Sequence, residues 1–187
     1  QSSTTADIST KALTATASAS NKTYDGGTTA STTLTFSGLV GSETLGQTVG
    51  STFDNKNVGS NKSVSVNSIT LADGTGLAAN YSINAGQTTT ANITAKSLTV
   101  SGITGINKVY DGNTVVTLDS SSVTYSGLVS GDSFVGAYSG VFANANVDTG
   151  KTVTITSSYS GSDVNNYLVT DQSTTTANIT SRPAGVS

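Results

Sequence analysis

A chain of 187 residues with formal net charge −3, a pI near 4.5 and only 10% charged residues carries no clustered Lys or Arg, and so no surface suited to nucleic acid phosphates. It contains no Cys, His, Met or Trp, which removes thiolate and imidazole metal sites, Ser-His-Asp triads, Cys-His dyads and disulfides. No run is apolar enough for a signal peptide or a membrane span, and 64 Ser and Thr residues beside 34% hydrophobic ones fit a sparse β-type core.

In chain order, residues 1–10 read as the end of a preceding linker or strand, and the lack of any Met points to a fragment of something longer. "NKTYDGGT" follows from Asn21. "TLTFSG" then places Leu34 and Phe36 on one strand face, and "KSVSV" alternates Val64 and Val66 with serines. After "TTTANIT" at Thr88 the same series returns. "NKVYDGNT" begins at Asn107, "VTYSG" aligns Val123 with Tyr125, "KTVTI" alternates Val153 and Ile155, and "TTTANIT" recurs at Thr174. The offset is 86 at Tyr24/Tyr110, 89 from "FSGLVGSE"/"YSGLVSGD" through "FDNKNVG"/"FANANVD", and 86 again at Tyr81/Tyr167. Compensating loop changes between fixed anchors mark a duplicated domain, divided as 11–95 and 96–181, with 182–187 as the start of a next repeat.

Period two dominates, and Gly and Asn punctuate it about every 8–12 residues, so the expected fold is all-β. It is expected to form two tandem antiparallel β-sandwich repeats of immunoglobulin-like architecture, about seven short strands each, arranged end to end. Ala91 and Ile93 share one phase while Leu98 and Val100 share the other, so the inward face should switch near Lys96 and Ser97.

The repeated residues Tyr24, Asp25, Gly26 and Tyr110, Asp111, Gly112 read as a structural corner. The Gly takes positive φ, the Asp bonds nearby amides, and the Tyr buries its ring. Calcium on the Asp carboxylates is the alternative, but neither copy shows an alternating Asp/Asn loop, and Lys22 and Lys108 would oppose a cation. No cofactor is expected. An enzyme is not expected either, because Asp54 becomes Ala143 in the second copy and Asp73 has no clear counterpart to recreate an acid pair. Lys22/Lys108 or Lys11/Lys96 with Asn92/Asn178 could form isopeptide cross-links, against the plainer reading of surface lysines that blunt strand edges. The five N-glycosylation sequons equal the roughly five that this Asn, Ser and Thr content produces by chance, and carry no information. Tyr138 and Tyr159 read as cross-strand packing residues rather than a glycan platform.

Seven short motifs in the same order twice, from "NKTYDGGT" and "NKVYDGNT" to "NYSI"/"NYLV" and "TTTANITAKSLTV", resemble the tandem YDG domains of large bacterial surface and secreted filamentous haemagglutinin-like adhesins. The resemblance implies an extracellular stalk or spacer, on the cell surface or secreted, that displays adhesive domains. It implies neighbouring repeats of the same longer chain as partners, a monomer, and any cell-surface or glycan ligand met through other domains. Membrane insertion is not part of it. The rival reading is an adhesive module that recognises a glycan, a host surface or ice through the divergent loops 72–80 and 159–166 or Thr-rich faces.

Overall fold

Val64 and Val66 are 0% and 2% exposed while Ser63 and Ser65 face solvent, and Val153 and Ile155 repeat this at 0% and 7%. That alternation is what a strand buried on one face requires. In the computed structural model, which describes residues 2–185, the chain divides between Thr94 and Ala95 into two compact units. Parts of the flanking segments assigned from sequence, at Gln1 and 186–187, lie outside the described residues.

The first unit contains β1 (Lys11–Ala12), β2 (Thr14–Ala19), β3 (Lys22–Thr23), β4 (Thr29–Ala30), β5 (Thr32–Ser37), β6 (Leu45–Phe53), β7 (Gly59–Asp73), β8 (Tyr81–Ser82) and β9 (Thr88–Thr94). The second contains β10 (Lys96–Ser101), β11 (Thr104–Gly105), β12 (Lys108–Val109), β13 (Val115–Val116), β14 (Leu118–Asp119), β15 (Thr124–Ser126), β16 (Val135–Phe142), β17 (Asp148–Ser160), β18 (Tyr167–Thr170) and β19 (Thr174–Thr180). One 3₁₀ turn ends on the Asn of each NY motif, at Ala78–Asn80 and Val164–Asn166, and no α-helix occurs among the described residues. The protein is all-β.

Each unit is built on one five-stranded sheet, ordered β3-β9-β7-β6-β4 in the first and β12-β19-β17-β16-β13 in the second. The remaining strands form smaller sheets, β1-β8 and β2-β5 in the first unit and β15-β10-β18 and β11-β14 in the second. In the second unit side chains from the two kinds of sheet meet, with Leu118 of β14 packed against Val116, Phe142, Val153, Ala177 and Ile179 of the five-stranded sheet. In the first unit Leu13, Leu34, Phe53, Val64, Val66, Ala91 and Ile93 are buried, and in the second Leu98, Val100, Ile103, Val116, Phe142, Val153, Ala177 and Ile179. Gln47 also links the sheets through its amide, donating to Leu34 O at 2.7 Å and accepting from Leu34 N at 2.8 Å. The second unit uses a similar amide bridge between two connections: Gln172, between β18 and β19, donates to the O of Ile103, between β10 and β11, at 2.6 Å and accepts from its N at 2.9 Å.

Two expectations are corrected. Pairing is not wholly antiparallel, because β1/β8, β3/β9, β10/β18 and β12/β19 run parallel. Alternation assigns a residue to a face, but strand direction depends on which neighbour the chain returns to. Nor are all strands short: β7 spans 15 residues and β17 spans 13, each shared between two neighbours. The change of inward phase does occur, with Ala91 and Ile93 buried before Ala95 and Leu98 and Val100 buried after it.

Candidate functional site

The two Tyr-Asp-Gly corners leave the short edge strands β3 and β12 and lead to β4 and β13 at the opposite edge of the same sheet. Gly26 and Gly112 have φ of 81° and 80°, a region that costs an L side chain strain and glycine none. The carboxylate before each glycine closes the turn. Asp25 Oδ1 accepts from Gly27 N at 2.9 Å, and Asp111 Oδ1 accepts from Asn113 N at 3.1 Å. A lysine three residues earlier completes each corner, Lys22 to Asp25 and Lys108 to Asp111, both at 2.7 Å. The ammonium bond, aided by the backbone amide at the second residue on, holds both carboxyls below their ordinary value.

The lysines are where the sequence reading needs correction. They were expected to lie on the surface, yet their side chains are only 18% and 16% exposed, less than the carboxylates they bind at 59% and 47%. Lys22 Nζ also donates to Gly27 O at 2.8 Å and Thr29 O at 3.2 Å. Lys108 Nζ donates to Asn113 Oδ1 at 2.8 Å, Val115 O at 2.9 Å and Asn113 O at 3.2 Å. A strand edge is therefore tied to the far side of its own loop by a cation. The sequence signal was present in the fixed spacing Lys-x-x-Asp-Gly, but spacing alone does not show that the stem lies inward.

Each corner is also fastened to the last strand of its unit. Asn21 Oδ1 accepts from Asn92 N at 2.7 Å, and Asn107 Oδ1 accepts from Asn178 N at 2.7 Å. Tyr24 N and Tyr110 N donate to Thr94 O and Thr180 O at 2.8 and 2.9 Å. The Asn92 and Asn178 side chains in turn accept from Asn61 N at 2.8 Å and Gly150 N at 2.7 Å, at bulges where φ is 51° and 62°. "NKxYDG" and "TANIT", which the sequence shows as separate repeats, are thus one hydrogen-bonded assembly. The side chains of Lys22, Lys108, Asn92 and Asn178, among those considered for isopeptide chemistry, face these separate partners.

A second repeated constellation escaped the sequence reading. Tyr81 donates to Glu43 and accepts from Val40 N at 3.1 Å, while Tyr167 donates to Asp132 at 2.5 Å and accepts from Val129 N at 2.9 Å. The tyrosine of each NY motif therefore pins the loop that follows each SGLV motif. The bond to Glu43 raises the Tyr81 pKa.

Tyr138 and Tyr159 sit in an aromatic group confined to the second unit. Phe134 meets Tyr125, Tyr159 and Tyr167 with ring centroids 5.3, 5.0 and 5.7 Å apart, and Tyr138 meets Tyr159 at 6.3 Å. Tyr125 and Tyr138 share a hydroxyl hydrogen bond of 2.9 Å, and Tyr159 donates to Asp171. Burial is the main cause of raised pKa values at both Tyr138 and Tyr159, the latter to about 12. These rings pack across strands, with Leu45, Val49 and Thr70 at the aligned places of Phe134, Tyr138 and Tyr159.

The tyrosines of the corner motif part company. Tyr24 is 1% exposed, whereas Tyr110 is 42% exposed, so the expected buried ring holds for the first corner and not the second. Among the described residues, no group of three or more acidic side chains is placed to hold a metal ion. The YDG domain family model matches residues 9–91 and 94–177. No curated protein and no solved structure matches the chain.

Proposed function

The chain belongs to the YDG domain family, and from that premise we propose that its repeats are structural spacer modules of a bacterial extracellular adhesin, set in series in a stalk that holds adhesive domains away from the cell. The observation that supports this reading is the connection. β9 ends at Thr94 and β10 begins at Lys96, so Ala95 alone joins strands of two separately cored units. A one-residue joint has little of the freedom of a flexible linker. In this reading each unit is an immunoglobulin-like sandwich, and a chain without Cys folds without regard to the redox state of its compartment. Small-angle scattering tests the series arrangement. Two half-length domains with centres about 40 Å apart give a radius of gyration of roughly 23 Å, against about 16 Å for one globule of this length. The smaller value would sink the spacer reading.

One feature favours the adhesive alternative. The second unit has a cleft of about 200 Å³ lined by Ala137, Tyr138, Ser139 and Thr156–Ser158, a mixture of ring and hydroxyls of the kind that meets sugars. A glycan array separates the readings: binding that Tyr138→Ala abolishes supports adhesion, and a blank array leaves the spacer.

A further inference from the structure

The corner lysines are surrounded as a bound ion would be. Four oxygens lie 2.7–3.2 Å from Lys108 Nζ, one from Asp111, two from Asn113 and one from Val115. Three lie 2.7–3.2 Å from Lys22 Nζ, one each from Asp25, Gly27 and Thr29. Each set includes a single carboxylate, which matches one positive charge. Calcium takes six to eight oxygens at about 2.3–2.6 Å, so these sets are too few, too distant and too weakly charged for it. Their distances and single charge suit an ammonium group, or an ion of similar size such as potassium with water filling its remaining positions. The second corner also opens on a cleft of about 280 Å³ lined by Asn107, Lys108, Asp111, Asn113 and Val115, through which an ion could enter.

We infer that each Tyr-Asp-Gly corner is a monovalent-cation site that the chain fills with its own lysine, and that a corner emptied of this ammonium takes up an ammonium-sized ion from solution. The tether holds the cation at a local concentration independent of the medium. The corner therefore keeps its shape where dissolved ions are scarce. The oxygens that calcium would need are already engaged.

Lys108→Ala tests this, because it removes the charge together with the stem carbons that an ion at the ammonium's place would otherwise strike. Thermal unfolding of the second unit is followed in choline, sodium, potassium and ammonium chlorides at one ionic strength. In choline the variant should melt lower than the parent by about 4–8 °C. Potassium or ammonium should restore much of that loss, while the parent melts alike in all four salts. Recovery in ammonium alone would assign the site to directional hydrogen bonds, and equal recovery in potassium to charge and size; both support the site. A variant that melts as the parent does, or alike in all four salts, overturns it. Should the variant fail to fold, nitrogen-15 spectra of the unaltered protein decide. Lys22 and Lys108 ammonium protons should exchange slowly enough to be seen while those of exposed Lys11 are not, and the absence of protected signals overturns the site.

Discussion

The two corners are nearly the same in their hydrogen bonds and differ in their rings. The glycine φ values are 81° and 80°, the lysine–carboxylate contacts are both 2.7 Å, and the Asn21 and Asn107 bonds to the last strand are both 2.7 Å. Yet Tyr24 is 1% exposed and Tyr110 is 42% exposed. The Lys56 ammonium lies 5.8 Å from the centre of the Tyr24 ring, and the aligned residue in the second unit is Ala145, which has neither the length nor the charge to cover Tyr110. A neighbouring difference follows the same line. Lys62 pairs with Asp54 at 2.9 Å and Asn55 at 2.8 Å, while Lys151 keeps only the bond to Asn144 at 2.8 Å because Ala143 replaces the acid. The backbone turn and its cation thus form without a buried ring, so the aromatic anchor is an addition to the corner rather than its cause.

Truncating the rings should give the largest contrast. Tyr24→Ala removes a fully buried ring and should destabilise the first unit by about 3–5 kcal/mol, whereas Tyr110→Ala should stay within roughly 1 kcal/mol. Amide exchange at Val64 and Val153 reports the two units separately, and equal losses would break the comparison. Next come the glycines. Gly26→Ala and Gly112→Ala should each cost about 1–2 kcal/mol, because both positions demand the left-handed region. A marked inequality between them would show that the corners are not the same structure.

Exchanging the cover is a smaller effect. Ala145→Lys should shield Tyr110 and raise the stability of the second unit by about 0.5–1 kcal/mol, with Lys56→Ala giving the opposite in the first. Tyrosine fluorescence quenching by iodide checks the change in exposure directly. Acid should give the smallest effect. The folded-state pKa values of Asp25 and Asp111 lie below the ordinary 3.8, so their contribution is present above that value and is lost as pH falls through the depressed ones. Both carboxylates are about half exposed, which keeps the contribution small. Asp25→Asn and Asp111→Asn should flatten the acid limb of the melting curve, and an unchanged limb would remove the lysine contact from the account.

Much of this molecule could be read along one dimension. The alternation of Val64/Val66 and Val153/Ile155 is local and marked their faces correctly, and the positive φ at Gly26 and Gly112 follows from a turn of Asp-Gly type. The pairing of β10 with β18 was not readable in this way, because period two is identical in parallel and antiparallel strands. The inward course of Lys22 and Lys108 was hidden for a related reason. A lysine stem is favoured at a surface unless oxygens from elsewhere gather around its tip, and two of those oxygens belong to backbone carbonyls that carry no sequence signature.

By itself the sequence determined that the chain is a duplication, that its elements are strands, and where the inward face changes, since each depends on the order and spacing of nearby residues. The tertiary structure alone decided which strands run parallel, that Asn21 and Asn107 fasten the corners to Asn92 and Asn178, and that one tyrosine of the pair is buried and the other open. These depend on groups about 70 residues away in the chain, or on what lies over a ring.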